Sequence, residues 1–184
     1  TLTDANGCAY SFSNTLTEPA ALTDTIIKSN YIGGINISCF GGNNGSLQVT
    51  PNGGTSPYTY LWNGPVSFTS SASNINTLVA GIYTISITDN NGCIKTETTS
   101  LIEPSAITPS LTALTFIGGV NIRCKGDSSG VVFNTVAGGT PGYVFNWAGP
   151  SGFSANSQSI NNIIAGTYTV NITDTNLCVG TATI

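Results

Sequence analysis

Trp62 recurs as Trp147, Tyr83 as Tyr168, Asp89 as Asp174 and Cys93 as Cys178, always 85 positions on and with no insertion or deletion between. The same offset carries TDANGC at 3–8 onto TDNNGC at 88–93, and the Glu-Pro pair at Glu18 and Pro19 onto Glu103 and Pro104. A self-similar period of this length is the mark of identical modules in series, each one a supersecondary unit that repeats along the chain. The sequence therefore divides into the C-terminal end of a preceding repeat at 1–20, a complete repeat at 21–105 and a second repeat at 106–184. The reading makes the chain a fragment of a longer array.

The composition removes several classes of function. Lys and Arg number 4, Asp and Glu 8, and there is no His or Met. The commonest general base and metal ligand is thus missing, and we expect no catalytic residue, no resident metal and no cofactor. With a formal charge of −4 and almost no cations, there is no basic footprint for DNA or RNA. Apolar residues are interrupted throughout by Gly, Asn, Pro and Ser, and no run approaches the roughly 18 needed for a membrane span.

Alternation dominates the local pattern. Tyr83, Ile85 and Ile87 are interleaved with Thr84, Ser86 and Thr88, and Tyr168, Val170 and Ile172 with Thr169, Asn171 and Thr173. This is the period of a half-buried strand. Tyr58, Tyr60 and Trp62 share one face of another strand, as do Tyr143, Phe145 and Trp147. Turn clusters such as GGNNG, PNGGT and TDNNG recur about every eight to twelve residues, the rhythm of a β-sandwich. The pattern predicts seven strands in the first repeat, near 26–32, 46–50, 58–62, 67–70, 74–78, 82–88 and 95–101. The fold class is all-β, tandem immunoglobulin-like or fibronectin type III-like sandwiches of 85 residues. Trp62, Trp147, Tyr83 and Tyr168 are the expected core aromatics. In-phase placement argues for this over exposed platforms for sugar rings. The Pro-bearing joints EPAA and EPSA are short, so neighbouring modules should stack end to end.

A module of this size buries only about 60 to 65% of its unfolded surface, which leaves room for a covalent staple. Cys39 and Cys93 lie 54 positions apart, as do Cys124 and Cys178. Without His or a Cys-x-x-Cys pair, disulfides are favoured over zinc. The spacing predicts the intra-repeat bridges Cys39–Cys93 and Cys124–Cys178, each worth roughly 4 kcal/mol on the chain-entropy model, with Cys8 unpaired. Pairing between neighbouring repeats, Cys39 with Cys178, has the same periodicity and stays open. Disulfides imply an oxidising compartment. Arg123 and Lys125 flank Cys124 and would activate a free thiol there. Asp89, Asn90 and Asn91, with Asp4 and Asp174 at matching sites, suit a tight turn better than a calcium loop, which needs six to eight oxygen ligands. Asn36, Asn44 and Asn171 stand in Asn-x-Ser/Thr triplets, which chance supplies readily in such a sequence.

Taken in order, Cys124 and Gly126, the GGT before an aromatic strand ending in Trp, the Ala-Gly-x-Tyr, and TDxxxC followed by a Glu-Pro joint resemble the SprB-repeat family of large bacterial surface adhesins. Leu177 departs from Gly7 and Gly92 of the other copies, and Gly142 replaces Pro57. The resemblance implies an extracellular, cell-surface location and export by type IX secretion. It also implies a gliding-type filament whose partners are further repeats in the same chain, surface polysaccharide or another external surface, and the secretion and gliding machinery. It makes Thr25, in Asp-Thr-Ile, a candidate for O-glycosylation. The expected role is a stalk or filament of a secreted adhesin. The alternative is a carbohydrate-binding or substrate-docking array of a secreted enzyme, and a purely architectural sheath comes third.

Overall fold

The computed structural model describes all 184 residues and contains two β-sandwiches in series, preceded by a small hairpin. The hairpin pairs β1 (Leu2–Thr3) with β2 (Ala9–Tyr10), and every residue from 1 to 20 is exposed. The first sandwich runs through β3 (Thr23–Lys28), β4 (Gly45–Asn52), β5 (Thr59–Asn63), β6 (Thr69–Ser70), β7 (Asn74–Leu78), β8 (Gly81–Thr88) and β9 (Ile94–Leu101). Its sheets have the orders β3-β4-β7 and β6-β5-β8-β9, all antiparallel. The second sandwich repeats this plan with β10 (Thr108–Ala113), β11 (Gly130–Ala137), β12 (Val144–Ala148), β13 (Ser154–Ala155), β14 (Ile160–Ile163), β15 (Thr169–Thr173) and β16 (Val179–Thr183), ordered β10-β11-β14 and β13-β12-β15-β16. Three strands facing four, with seven in each unit, is an immunoglobulin-like sandwich in its fibronectin-type arrangement.

The alternation has the expected effect. Tyr83, Ile85 and Ile87 point inward from β8, and Trp62 lies opposite Ile85 on β5. Leu47, Val49, Ile75, Leu78, Leu101 and Ile37 complete a core of ten buried side chains. Outward positions carry hydroxyls that meet across strands, Thr84 with Thr98 and Ser86 with Thr96, each at 3.4 Å. The second core has seven members, among them Val132, Trp147, Ile160, Tyr168 and Ile172.

One boundary differs from the sequence expectation. The first strand occupies Thr23–Lys28, not 26–32. The chain folds back at Tyr31, whose N–H bonds the Ile35 carbonyl at 2.8 Å, and Gly33 and Gly34 adopt φ of 94° and 73°. That left-handed pair ends any extended run. It also turns Ile35 and Ile37 inward, where they close one end of the barrel-like core.

Because seven strands alternate in direction, the chain enters the sandwich at one end and leaves at the other. The turn between β8 and β9 and the loop between β4 and β5 share the entry end, where Asp89 meets Thr55. The loop between β3 and β4, with Cys39, shares the exit end with Gly45, Leu78, Gly81 and Leu101.

Candidate functional site

The two ends of a module are built differently, and the second module meets the first through one of each. At the entry end the TDxxxC turn is organised by its aspartate. Oδ1 of Asp89 accepts the N–H groups of Asn91 at 3.0 Å and Cys93 at 2.8 Å, and Oδ2 accepts that of Thr55 at 2.9 Å. Asp174 repeats this with Asn176, Cys178 and Thr140 at 2.9, 2.9 and 2.8 Å. Burial raises the pKa of Asp89, but the amides of Cys93, Thr55 and Asn91 outweigh it and hold the carboxyl below its usual value of 3.8. Both oxygens are thus committed to backbone amides. The arrangement is an Asx-type turn that ties the β8–β9 corner to the β4–β5 loop.

At the exit end the loop from Ser29 to Asn44 forms a platform. Asn36 donates to the Ser29 carbonyl at 2.7 Å and accepts from the Ile102 N–H at 3.1 Å, while the N–H groups of Asn36 and Ile37 both donate to the Ile102 carbonyl. The Glu103 carboxylate accepts the Gly41 N–H at 2.6 Å. The connecting segment after β9 is therefore fastened to the module it leaves. It is also fastened to the module it enters, since the Gly139 N–H donates to the Ser105 carbonyl at 2.8 Å. Gly138, with φ of 76°, lets the Ala106 carbonyl approach closer than any side chain would allow.

Between these ends lies the joint. Cys39 of the platform is disulfide-bonded to Cys178 of the second module's turn, with Cα atoms 5.5 Å apart. Asn176 Nδ2 donates across the joint to the Ile32 carbonyl at 2.9 Å and also to Thr140 Oγ1 at 2.9 Å. The Thr140 side chain packs over Gly33. Phe40, Pro104, Ile107 and Leu177 line the remaining cleft beside the bridge.

The joint corrects the intra-repeat pairing of Cys39 with Cys93 and of Cys124 with Cys178. Cys39 lies at the exit end and Cys93 at the entry end of one sandwich, separated by the eight-residue β8, or roughly 25 Å at the strand rise. A disulfide needs Cα atoms within about 7 Å. Stacking places the exit end of one module against the entry end of the next, so the bond forms between repeats. Cys8, Cys93 and Cys124 are free and exposed.

Apart from Asn36 and Asn44 of the platform, the other residues singled out by the sequence lie away from the joint. Trp62 and Trp147 are fully buried, donating through Nε1 to the carbonyls of Ala72 and Ser157 at 3.0 and 2.9 Å. Tyr83 and Tyr168 are buried beneath Phe68 and Phe153 in edge-to-face contact, and their hydroxyls donate to the Val79 and Ile164 carbonyls four residues upstream. Thr25 is exposed on β3. The side chains of Asn36, Asn44 and Asn171 all hold internal hydrogen bonds. Arg123 lies 5.1 Å over the Phe116 ring. Sequence reasoning missed the bond from Asn176 to Ile32. Its only trace was Asn at both 91 and 176, which the turn alone already explains.

Residues 36–67 match the family model of the SprB repeat, a stretch that begins in the exit-end platform and ends just past Trp62. No curated protein matches the sequence. Among solved structures, murine CEACAM1b is 17% identical, with 77% of this chain and 90% of that chain covered, at a TM-score of 0.33. The amphioxus IgVJ-C2 molecule is 13% identical, with 88% and 94% covered, at 0.34.

Proposed function

Because residues 36–67 match the SprB-repeat model, we propose that this chain is part of a secreted cell-surface adhesin whose tandem repeats form an extended stalk. The observation that carries this reading is the joint. A short segment bonded at both ends, a side-chain hydrogen bond and a disulfide together hold two sandwiches exit end to entry end. A spacer that keeps an adhesive region away from its cell needs such a joint, because a flexible one would let modules fold back on each other. The outer faces carry cross-strand hydroxyl pairs such as Thr84 with Thr98 and Ser86 with Thr96, which favour solvation over side-by-side packing.

Export by type IX secretion, a filament moved in gliding, and contact with surface polysaccharide belong to the same proposal. So does O-glycosylation at Thr25, whose exposure on β3 leaves it open to modification. The role is non-catalytic. The carbohydrate-docking alternative relied on exposed tryptophans, and both lie in the cores. Small-angle scattering of the oxidised chain tests the stalk. Two stacked modules of roughly 35 to 40 Å each should give a maximum dimension of about 70 to 80 Å. A dimension near that of one compact globule overturns the reading.

A further inference from the structure

The two sulfurs of the bridge at the joint have unlike neighbours. Asn44 holds Ser38 from two sides: its Oδ1 accepts the Ser38 N–H at 3.1 Å, and its Nδ2 donates to Ser38 Oγ at 2.7 Å. Because that hydroxyl oxygen already accepts from an amide, its own proton is free to donate to Cys39 Sγ, 3.5 Å away. Cys178 Sγ faces acceptors instead. The carbonyl oxygens of Ser38 and Asn176 lie 3.1 and 4.0 Å from it. A hydroxyl proton stabilises a thiolate and a carbonyl oxygen repels one, so negative charge is better accommodated on Cys39 than on Cys178.

The matching loop of the second module closes without this arrangement. Arg123 stands there for Ser38 and Ser129 for Asn44, and a single bond from the Arg123 N–H to Ser129 Oγ at 2.9 Å holds the turn. The hydroxyl aimed at a sulfur is therefore an addition particular to the Cys39 loop. The bridge also has a way in. Cys39 and Cys178 both line the cleft at the joint, whose volume is about 290 Å³. Phe40, Ile107, Leu177 and Val179 make its walls apolar, and no charged side chain lines it. It has room for a small molecule and not for a folded protein.

We propose that this cleft is a reaction site for small neutral thiols, which open the joint by attacking Cys178 and expelling Cys39. The incoming thiolate forms a new S–S bond to Cys178 Sγ. The bond to Cys39 breaks, and its electron pair leaves on Cys39 Sγ, beside the Ser38 hydroxyl, before a proton arrives from water. Exchange is faster when the leaving thiol has the lower pKa, which makes Cys39 the departing sulfur. A second small thiolate then attacks the adduct, releasing the Cys178 thiol and a small disulfide, so that two thiols are oxidised as the bridge is reduced. While the adduct persists it occupies the cleft, and the joint is left to noncovalent contacts such as that of Asn176 with the Ile32 carbonyl. This chemistry belongs to the joint itself and is independent of any role as a stalk.

The test uses the chain carrying Cys8→Ser, Cys93→Ser and Cys124→Ser, all three exposed and unpaired, so that only the bridge cysteines remain. The probe is 2-mercaptoethanol, with 2-mercaptoethanesulfonate as an anionic thiol of similar acidity. Reactions stopped early with acid are alkylated and mapped by mass spectrometry. The adduct should sit on Cys178, with Cys39 alkylated, in about fivefold excess over the reverse. Ser38→Ala should slow opening about threefold and bring the two adducts toward equal yield, while Ser38→Thr, which keeps the hydroxyl, should restore both. The preference for the neutral thiol over the anionic one should be about fivefold greater in the native chain than in urea, where the cleft is gone. Equal adducts in the parent chain, an excess on Cys39, or a bridge that resists 2-mercaptoethanol while both sandwiches stay folded overturns the proposal. An unchanged adduct ratio in Ser38→Ala overturns the role given to Ser38, and the same thiol preference in native and unfolded chains overturns the role given to the cleft.

Discussion

The two sandwiches share topology, turn chemistry and both core aromatics, yet their interiors are not equivalent. One buried apolar position of the first module has a polar counterpart in the second. Val49 is matched by Asn134, which is 2% exposed and whose side-chain amide has no hydrogen-bond partner on either atom. At the turn, Gly92 at φ of 83° is matched by Leu177 at 66°, a non-glycine residue in the left-handed region. A repeat can thus keep its outline while its stability varies, and the joint couples the weaker copy to the stronger one.

The largest expected effect comes from breaking that coupling. Cys39→Ser, or reduction of the bridge, should remove roughly 4 to 5 kcal/mol on the chain-entropy model for so long a loop. It should also split one calorimetric transition into two, the second module melting first. A single unsplit transition would show that the modules cooperate without the bond. Next come the tryptophans. Trp62→Ala and Trp147→Ala should each cost about 3 to 5 kcal/mol through the cavity left behind. In denaturant unfolding followed by limited proteolysis, the Trp147 variant should lose its module entirely and the Trp62 variant only in part.

Asn134→Val should narrow the difference between the modules. Restoring the residue found at 49 removes two buried unsatisfied polar atoms and should stabilise the second sandwich by about 1 to 3 kcal/mol, read as a rise in its melting temperature alone. Leu177→Gly should give the smallest gain, about 1 kcal/mol, by relieving the left-handed strain at an exposed position. No gain would mean that contacts beside the joint offset the strain.

How much of this the sequence disclosed depends on the range of the interaction. Strand alternation places Tyr83, Ile85 and Trp62 inside because the pleat has a period of two and the pattern lies within a few residues. The Asp89 turn is legible for the same reason. Cysteine pairing is not local. Intra-repeat and inter-repeat bonds have the same 85-residue periodicity, and spacing cannot separate them. Strand parity can, since an odd count puts Cys39 and Cys93 at opposite ends. Asn134 was not legible, although it stands in register with Val132 and Val136 on β11. What it touches depends on the facing sheet, and that is set only once the sandwich closes.

The bridge from Cys39 to Cys178 also governs how the chain responds to pulling. It encloses a sequence separation of 139 residues, most of both modules. Tension applied at the termini crosses from one sulfur to the other and bypasses the enclosed segment, even if both sandwiches melt. At about 3.5 Å per residue, that withholds roughly 480 Å of slack from a stretched chain. Such a tether is nearly inextensible when oxidised and long and compliant when reduced, so its stiffness under load is set by the redox state of its surroundings.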